Sequence, residues 1–76
     1  MSITIYTSSI CPVCALVRDF FTMQEIPFEE INIDLRPLER LKLIAQSKNL
    51  RVPQTKINDV WISGFHPERF FEALSQ

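Results

Sequence analysis

Cys11-Pro12-Val13-Cys14 is the stretch of this chain whose residue types and spacing are suited to chemistry. Two residues three apart on a helix share a face, with Cβ atoms roughly 5–6 Å apart. A disulfide needs Cβ atoms about 3.8 Å apart, which a small adjustment in a first helical turn supplies. The pair can therefore open and close reversibly. Pro12 favours a helix start at this point, because Pro suits the first helical position. Cys11 would then stand at a helix N-terminus, where unpaired N–H groups and the helix dipole favour an anion. A thiolate is the nucleophile of thiol–disulfide exchange. This makes Cys11 the attacking residue and Cys14, one turn inside, the resolving one. Two unrelated cysteines, one of them a small buried hydrophobe, is the plainer alternative. A zinc site needs about four ligands, against two Cys and one His in this chain. An iron–sulfur cluster bridged between two chains is a more distant alternative, and no metal site is expected.

The elements that must position this pair are legible from periodicity. Ser2 to Tyr6 is β-branched and reads as a strand, followed by a polar loop, Thr7 to Ile10. Val13, Leu16, Val17, Phe20 and Phe21 then recur at helical spacing, and the helix should end before Pro27. Phe28, Ile31 and Ile33 mark a second strand, and Asp34 is placed to cap a second helix. Pro37 starts that helix, with Leu38, Leu41, Ile44 and Ala45 as its expected inward face, and Lys48-Asn49 stops it. After Val52-Pro53 come strands Gln54 to Ile57 and Val60 to Ile62, joined at Asn58-Asp59. A turn at Ser63-Gly64-Phe65 leads to a last helix from Pro67, with Phe70, Phe71 and Leu74 expected inward. The order β-α-β-α-β-β-α predicts an α/β domain: a four-stranded mixed sheet flanked by three helices.

With 76 residues, 46% of them hydrophobic, the chain is expected to be one domain spanning 1–76. Eight Lys+Arg against nine Asp+Glu argue against a nucleic-acid binder. No apolar run reaches bilayer length, and the N-terminus lacks the pattern of a signal peptide. A cytoplasmic monomer with no membrane association is the expectation, and there two Cys would not serve as a permanent staple. Charge is segregated, however. Residues 36–56 carry six Lys or Arg against Glu39 alone, while the remainder carries Arg18 and Arg69 against eight acids. This describes either two solvated faces or a basic docking surface for an acidic partner or ligand carboxylates.

Along its whole length the chain resembles the glutaredoxins: a short strand, Cys-Pro-x-Cys, a helix, Val52-Pro53 before a hairpin, and Gly64 before the last helix. The tail Trp61-Ile62-Ser63-Gly64-Phe65-His66-Pro67-Glu68-Arg69-Phe70 is most similar to the NrdH-type redoxins. The resemblance implies a thioredoxin-like fold and a dithiol oxidoreductase acting on protein disulfides, with the Cys11–Cys14 disulfide as its redox group and no bound cofactor. NrdH-type redoxins are hydrogen donors to ribonucleotide reductase and typically draw electrons from thioredoxin reductase. The alternative within the family is dependence on glutathione. The resemblance further implies that Pro53 is cis and faces the cysteines, and that Val52 pairs with a substrate chain. Pro12, Val13, Arg51, Gly64, Phe65 and His66 are the further candidate substrate contacts, beside plainer readings of Arg51 as a surface charge, Gly64 as a turn, Phe65 as core and His66 as a helix cap or solvated side chain. Three departures bear on the electron source. Ser8 stands where glutaredoxins commonly carry Lys, and Ser63-Gly64-Phe65-His66 replaces a Gly-Gly-acid stretch that holds the glutathione ammonium. Arg51-Val52-Pro53-Gln54, by contrast, looks more like a glutaredoxin's Thr-Val-Pro than the Ala-Pro of many NrdH-type redoxins.

Overall fold

The computed structural model describes residues 2–47 and 52–75. The elements are β1 (Ile3–Thr7), α1 (Pro12–Met23), β2 (Glu29–Asn32), α2 (Pro37–Ser47), β3 (Gln54–Ile57), β4 (Val60–Ser63) and α3 (Pro67–Leu74). Their order is the expected one. The Lys48-Asn49 helix stop and Arg51 lie outside the described residues.

The sheet runs β2-β1-β3-β4. β1 pairs in parallel with β2 and antiparallel with β3, and β3 pairs antiparallel with β4. Successive strand residues point to opposite faces. One face of the sheet, with α1 and α3, encloses Ile3, Ile5, Val17, Phe21, Ile57, Ile62, Phe70 and Ala73. The other buries Tyr6, Ile31 and Ile33 with Leu43 of α2. Phe28, Ile31 and Ile33 therefore do not share a face. Phe28 meets Phe21, with ring centroids 6.0 Å apart, while the two isoleucines join the α2 cluster.

Two expected inward faces are corrected. Leu38 and Leu41 of α2 are 73% and 64% exposed and Ile44 is also exposed, whereas Leu43 is fully buried. Leu43 lies about 200° around the helix from Leu41. Periodicity marks an apolar stripe without saying which side of the helix meets the sheet, and here Leu43 fills the contact with Tyr6, Ile31 and Ile33. In α3, Phe70 is fully buried, but Phe71 is 48% exposed and packs edge-on against Phe20 at 5.2 Å. Consecutive helical residues point about 100° apart, so both rings cannot enter the same core.

Among the described residues, two other than glycine adopt positive φ: Asn58, a residue type suited to it, and Glu25, one that rarely takes it. Glu25 (φ 57°) closes α1, its N–H donating to the Thr22 carbonyl. Asn58 (φ 54°) makes the hairpin turn, and its N–H donates to the Ser2 carbonyl at 2.8 Å. Among the described residues, no helix is long and apolar enough to cross a membrane.

Candidate active site

Cys11 is the N-cap of α1, with extended backbone (φ −117°, ψ 100°), and Pro12 occupies the first turn. The Cys14 backbone N–H donates to Cys11 Sγ at 3.2 Å. An N–H of the first helical turn, which has no intrahelical acceptor, is thus aimed at the Cys11 sulfur. Cys11 is partly exposed and Cys14 is 2% exposed, and both thiols are free. Pro12 and Val13 are exposed between them.

The two thiols have unlike surroundings. Burial pushes the Cys14 thiol up to about 12, and its hydrogen bond with the Cys11 side chain adds to the effect. A backbone hydrogen bond from Ser8 acts in the opposite direction, and the fields of Cys11 and Glu30 raise it further. Desolvation disfavours the charged form of a thiol, so Cys14 is held as a thiol, while Cys11 is partly exposed and accepts an N–H.

The Val52–Pro53 bond is cis, and Pro53 is buried. Tyr6 pairs with Gln54, so the antiparallel register puts Pro53 across from Thr7, where β1 gives way to the loop carrying Cys11. The Pro53 carbonyl accepts the Gly64 N–H at 2.9 Å, tying the β3 start to the turn after β4. Gly64 has φ +79°, a region that side chains rarely adopt, which accounts for Gly at this turn. His66 is exposed at the N-cap of α3, and its side chain makes no capping hydrogen bond. Its ring lies over Gly64: a Cβ built there would meet Nε2 at 3.5 Å. Phe65 is half-buried, 6.3 Å from both Phe20 and Phe70, so its ring belongs to the margin of the core. Val52 is also half-buried, against the α2-side cluster.

Two supporting groups were not anticipated. Asp34, expected to cap α2, instead turns toward the loop ahead of Cys11. Its Oδ2 accepts the Ser8 hydroxyl at 3.2 Å and the Ser9 N–H at 3.0 Å. The first helical hydrogen bonds of α2 run to the Arg36 carbonyl, two residues further on. Asn32 adds a bond from Nδ2 to Ser9 Oγ at 3.1 Å. Glu30 sits opposite Ile5, on the α1 side of the sheet. Its carboxylate accepts the buried Thr7 hydroxyl and pairs with Arg18, both at 3.0 Å. Arg18 is one turn beyond Cys14 on α1, so Glu30 ties β1 to the helix that carries both cysteines. An acid at a core-facing strand position is the signal that marks Glu30, but it can be read only once the register is known. Among the described residues, no three of His, Cys, Asp and Glu are grouped to hold a metal.

A family model for glutaredoxin matches residues 3–62. The NrdH glutaredoxin-like protein of Lactococcus lactis (strain IL1403) is 32% identical over 65 residues, covering 86% of this chain and 89% of that protein. The corresponding protein of Salmonella typhimurium is 35% identical over 68 residues, covering 90% and 83%. The solved NrdH-redoxin of Escherichia coli superposes with a TM-score of 0.84 at 32% identity, over 95% of this chain and 93% of that one. This likeness and the sheet order establish the thioredoxin-like fold. With the asymmetric Cys11–Cys14 pair at the head of α1, the chain belongs to the glutaredoxin family of thiol–disulfide oxidoreductases, and its relatives there are NrdH glutaredoxin-like proteins.

Proposed function

We propose that this chain is a cytoplasmic dithiol carrier that accepts electrons from thioredoxin reductase and delivers them to a disulfide of ribonucleotide reductase, with the cysteine pair as its own redox group. The Cys11 thiolate attacks one sulfur of the target disulfide. That S–S bond breaks, and the leaving thiolate takes from solvent the proton that Cys11 released on ionising. A mixed disulfide to Cys11 results. Cys14 gives up its proton and attacks Cys11 Sγ, releasing the second target thiol and forming the Cys11–Cys14 disulfide. Two electrons and two protons have then passed to the target, and the reductase restores the dithiol.

The observation that carries the choice of electron source is the fate of Ser8 and His66. The Ser8 hydroxyl is committed to Asp34, and His66 lies over Gly64 at the head of α3. Neither supplies the lysine or the acid through which glutaredoxins commonly hold glutathione. The E. coli NrdH-redoxin is itself described as having a thioredoxin-like activity profile, which supports the same reading. Each hydrogen bond to a charged group is worth roughly 1.5–3 kcal/mol. Two missing contacts should therefore favour thioredoxin reductase with NADPH over glutathione with its reductase by at least about tenfold. Coupled NADPH-consumption assays with each system measure this ratio, and Ser8→Lys with His66→Asp should raise the glutathione rate. Efficient glutathione turnover by the wild type, with no response to thioredoxin reductase, would replace this reading with a glutathione-dependent one.

A further inference from the structure

The apolar stripe of α2 faces away from the protein. Leu38, Leu41 and Ala45 fall on the side opposite the buried Leu43, Ile44 lies on the flank about 100° from it, and all four are exposed. Leu35, just ahead of the helix, is 77% exposed. At 3.6 residues per turn, Arg40 borders this stripe next to Ile44, and Lys42 borders it next to Leu38. Both are exposed, and Lys42 lies 3.5 Å from Glu39. An amphipathic helix normally buries its apolar side; this one presents it between two cations.

The stripe also begins at the rim of the redox centre. Leu35 comes directly after Asp34, whose carboxylate holds Ser8 and Ser9 of the loop before Cys11. We propose that α2 is a docking surface for an acidic amphipathic helical segment of the protein that carries the target disulfide. Its apolar ridge would lie on Leu38, Leu41 and Ile44, and its carboxylates beside Arg40 and Lys42. This rests on the proposed function, in which the substrate is a protein disulfide. Charge complementarity selects the occupant. A second copy laid helix on helix would bring Arg40 and Lys42 toward their own like charges, which opposes pairing. A lipid surface would suit the cations, but the adjoining centre acts on a disulfide carried by protein.

The test uses the full chain, reduced, and two synthetic helical peptides, each ending in a cysteine bonded to thionitrobenzoate. One peptide flanks its leucine ridge with Glu and the other with Lys. Release of the coloured thiolate reports reduction, and free dithiobis(nitrobenzoate) reports the chemistry without docking. The acidic peptide should react up to roughly tenfold faster than the basic one at low salt, because its carboxylates are attracted to Arg40 and Lys42 while the lysines of the other peptide are repelled. Leu38→Ser with Leu41→Ser, changes at exposed positions, should reduce that preference severalfold and leave the free-reagent rate unchanged. Equal peptide rates, or a preference that survives the double variant, overturn the proposal. So does self-association abolished by the same variant, which makes a second copy the occupant. Capture by phosphatidylglycerol vesicles without any peptide preference overturns it in favour of a membrane. Failure of the wild type on the free reagent would instead sink the redox reading.

Discussion

Cys11 and Cys14 have unlike surroundings because three residues of chain carry one from the rim into the core. The same burial that keeps Cys14 a thiol near neutrality makes it a stability-linked group. Its folded value lies near 12, above the ordinary thiol value of 9.0. A raised folded value means that the folded state holds the proton more tightly, so the contribution is fully present below the unfolded value. It is lost as pH rises between the two. In that window the reduced protein should lose up to about 1.4 kcal/mol of unfolding free energy per pH unit from this thiol. Tyr6 is also raised, first by burial and then by the carboxylates of Glu39 and Glu29, and acts in the same direction. Cys14→Ala therefore provides the comparison: urea unfolding of the reduced proteins across alkaline pH should show a shallower decline for the variant. Parallel declines would place the Cys14 thiol in a far wetter setting. The cysteine pair was legible in the sequence because its spacing and local chemistry are one-dimensional, whereas the cis Val52–Pro53 bond was expected only from the resemblance to the glutaredoxins. Glu30 was not legible, because its meaning comes from pairing with Ile5 and from the reach of Thr7 and Arg18, three contacts that only the folded sheet brings together.

Among the elements, prolines and periodicity mark the helices: Pro12, Pro37 and Pro67 each begin one. What periodicity leaves open is orientation, and both corrections, at α2 and at Phe71, are of that kind. Asp34 shows the same limit. A carboxylate shortly before a helix reads as a cap, but the parallel pairing of β1 with β2 sets it beside Ser8 and Ser9 instead. The link holds the loop that delivers Cys11 to α1. Asp34→Ala leaves the Ser9 N–H and the Ser8 hydroxyl to solvent, and both sites are exposed, so the stability cost should be modest, about 1 kcal/mol. Hydrogen exchange at the Ser9 amide should quicken well beyond that of the β1 amides, and the rate of Cys11 attack on a small disulfide should fall. An unchanged Ser9 exchange rate would show that the loop is held by Asn32 and the β1–β2 pairing alone.

For the molecule as a whole, a short chain has little stability to spare. At roughly 0.05–0.15 kcal/mol per residue, a domain of this size is worth only about 4–11 kcal/mol. Much of it passes through one aromatic cluster. Phe70 is fully buried, with ring centroids 5.3 Å from Phe20 and 5.2 Å from Phe21. The same cluster reaches Phe65, beside the Gly64 turn that is tied to Pro53. The site and the core are therefore joined by ring contacts and a backbone hydrogen bond. Phe70→Ala should cost about 3–5 kcal/mol, from lost transfer and the cavity left behind. At about 4–8 °C per kcal/mol for a domain of this length, the melting temperature should fall by roughly 12–40 °C. Phe71→Ala supplies the control within the same helix. Its ring is half exposed and meets Phe20 edge-on, so its cost should stay near 1 kcal/mol, the scale of one aromatic pair with partial burial. Calorimetry of both variants, with exchange activity followed through the same temperature range, tests the argument. Activity should vanish with the fold in Phe70→Ala and persist in Phe71→Ala. Equal losses in the two variants would mean that α3 is held by its outer face, contrary to the burial that sets Phe70 apart.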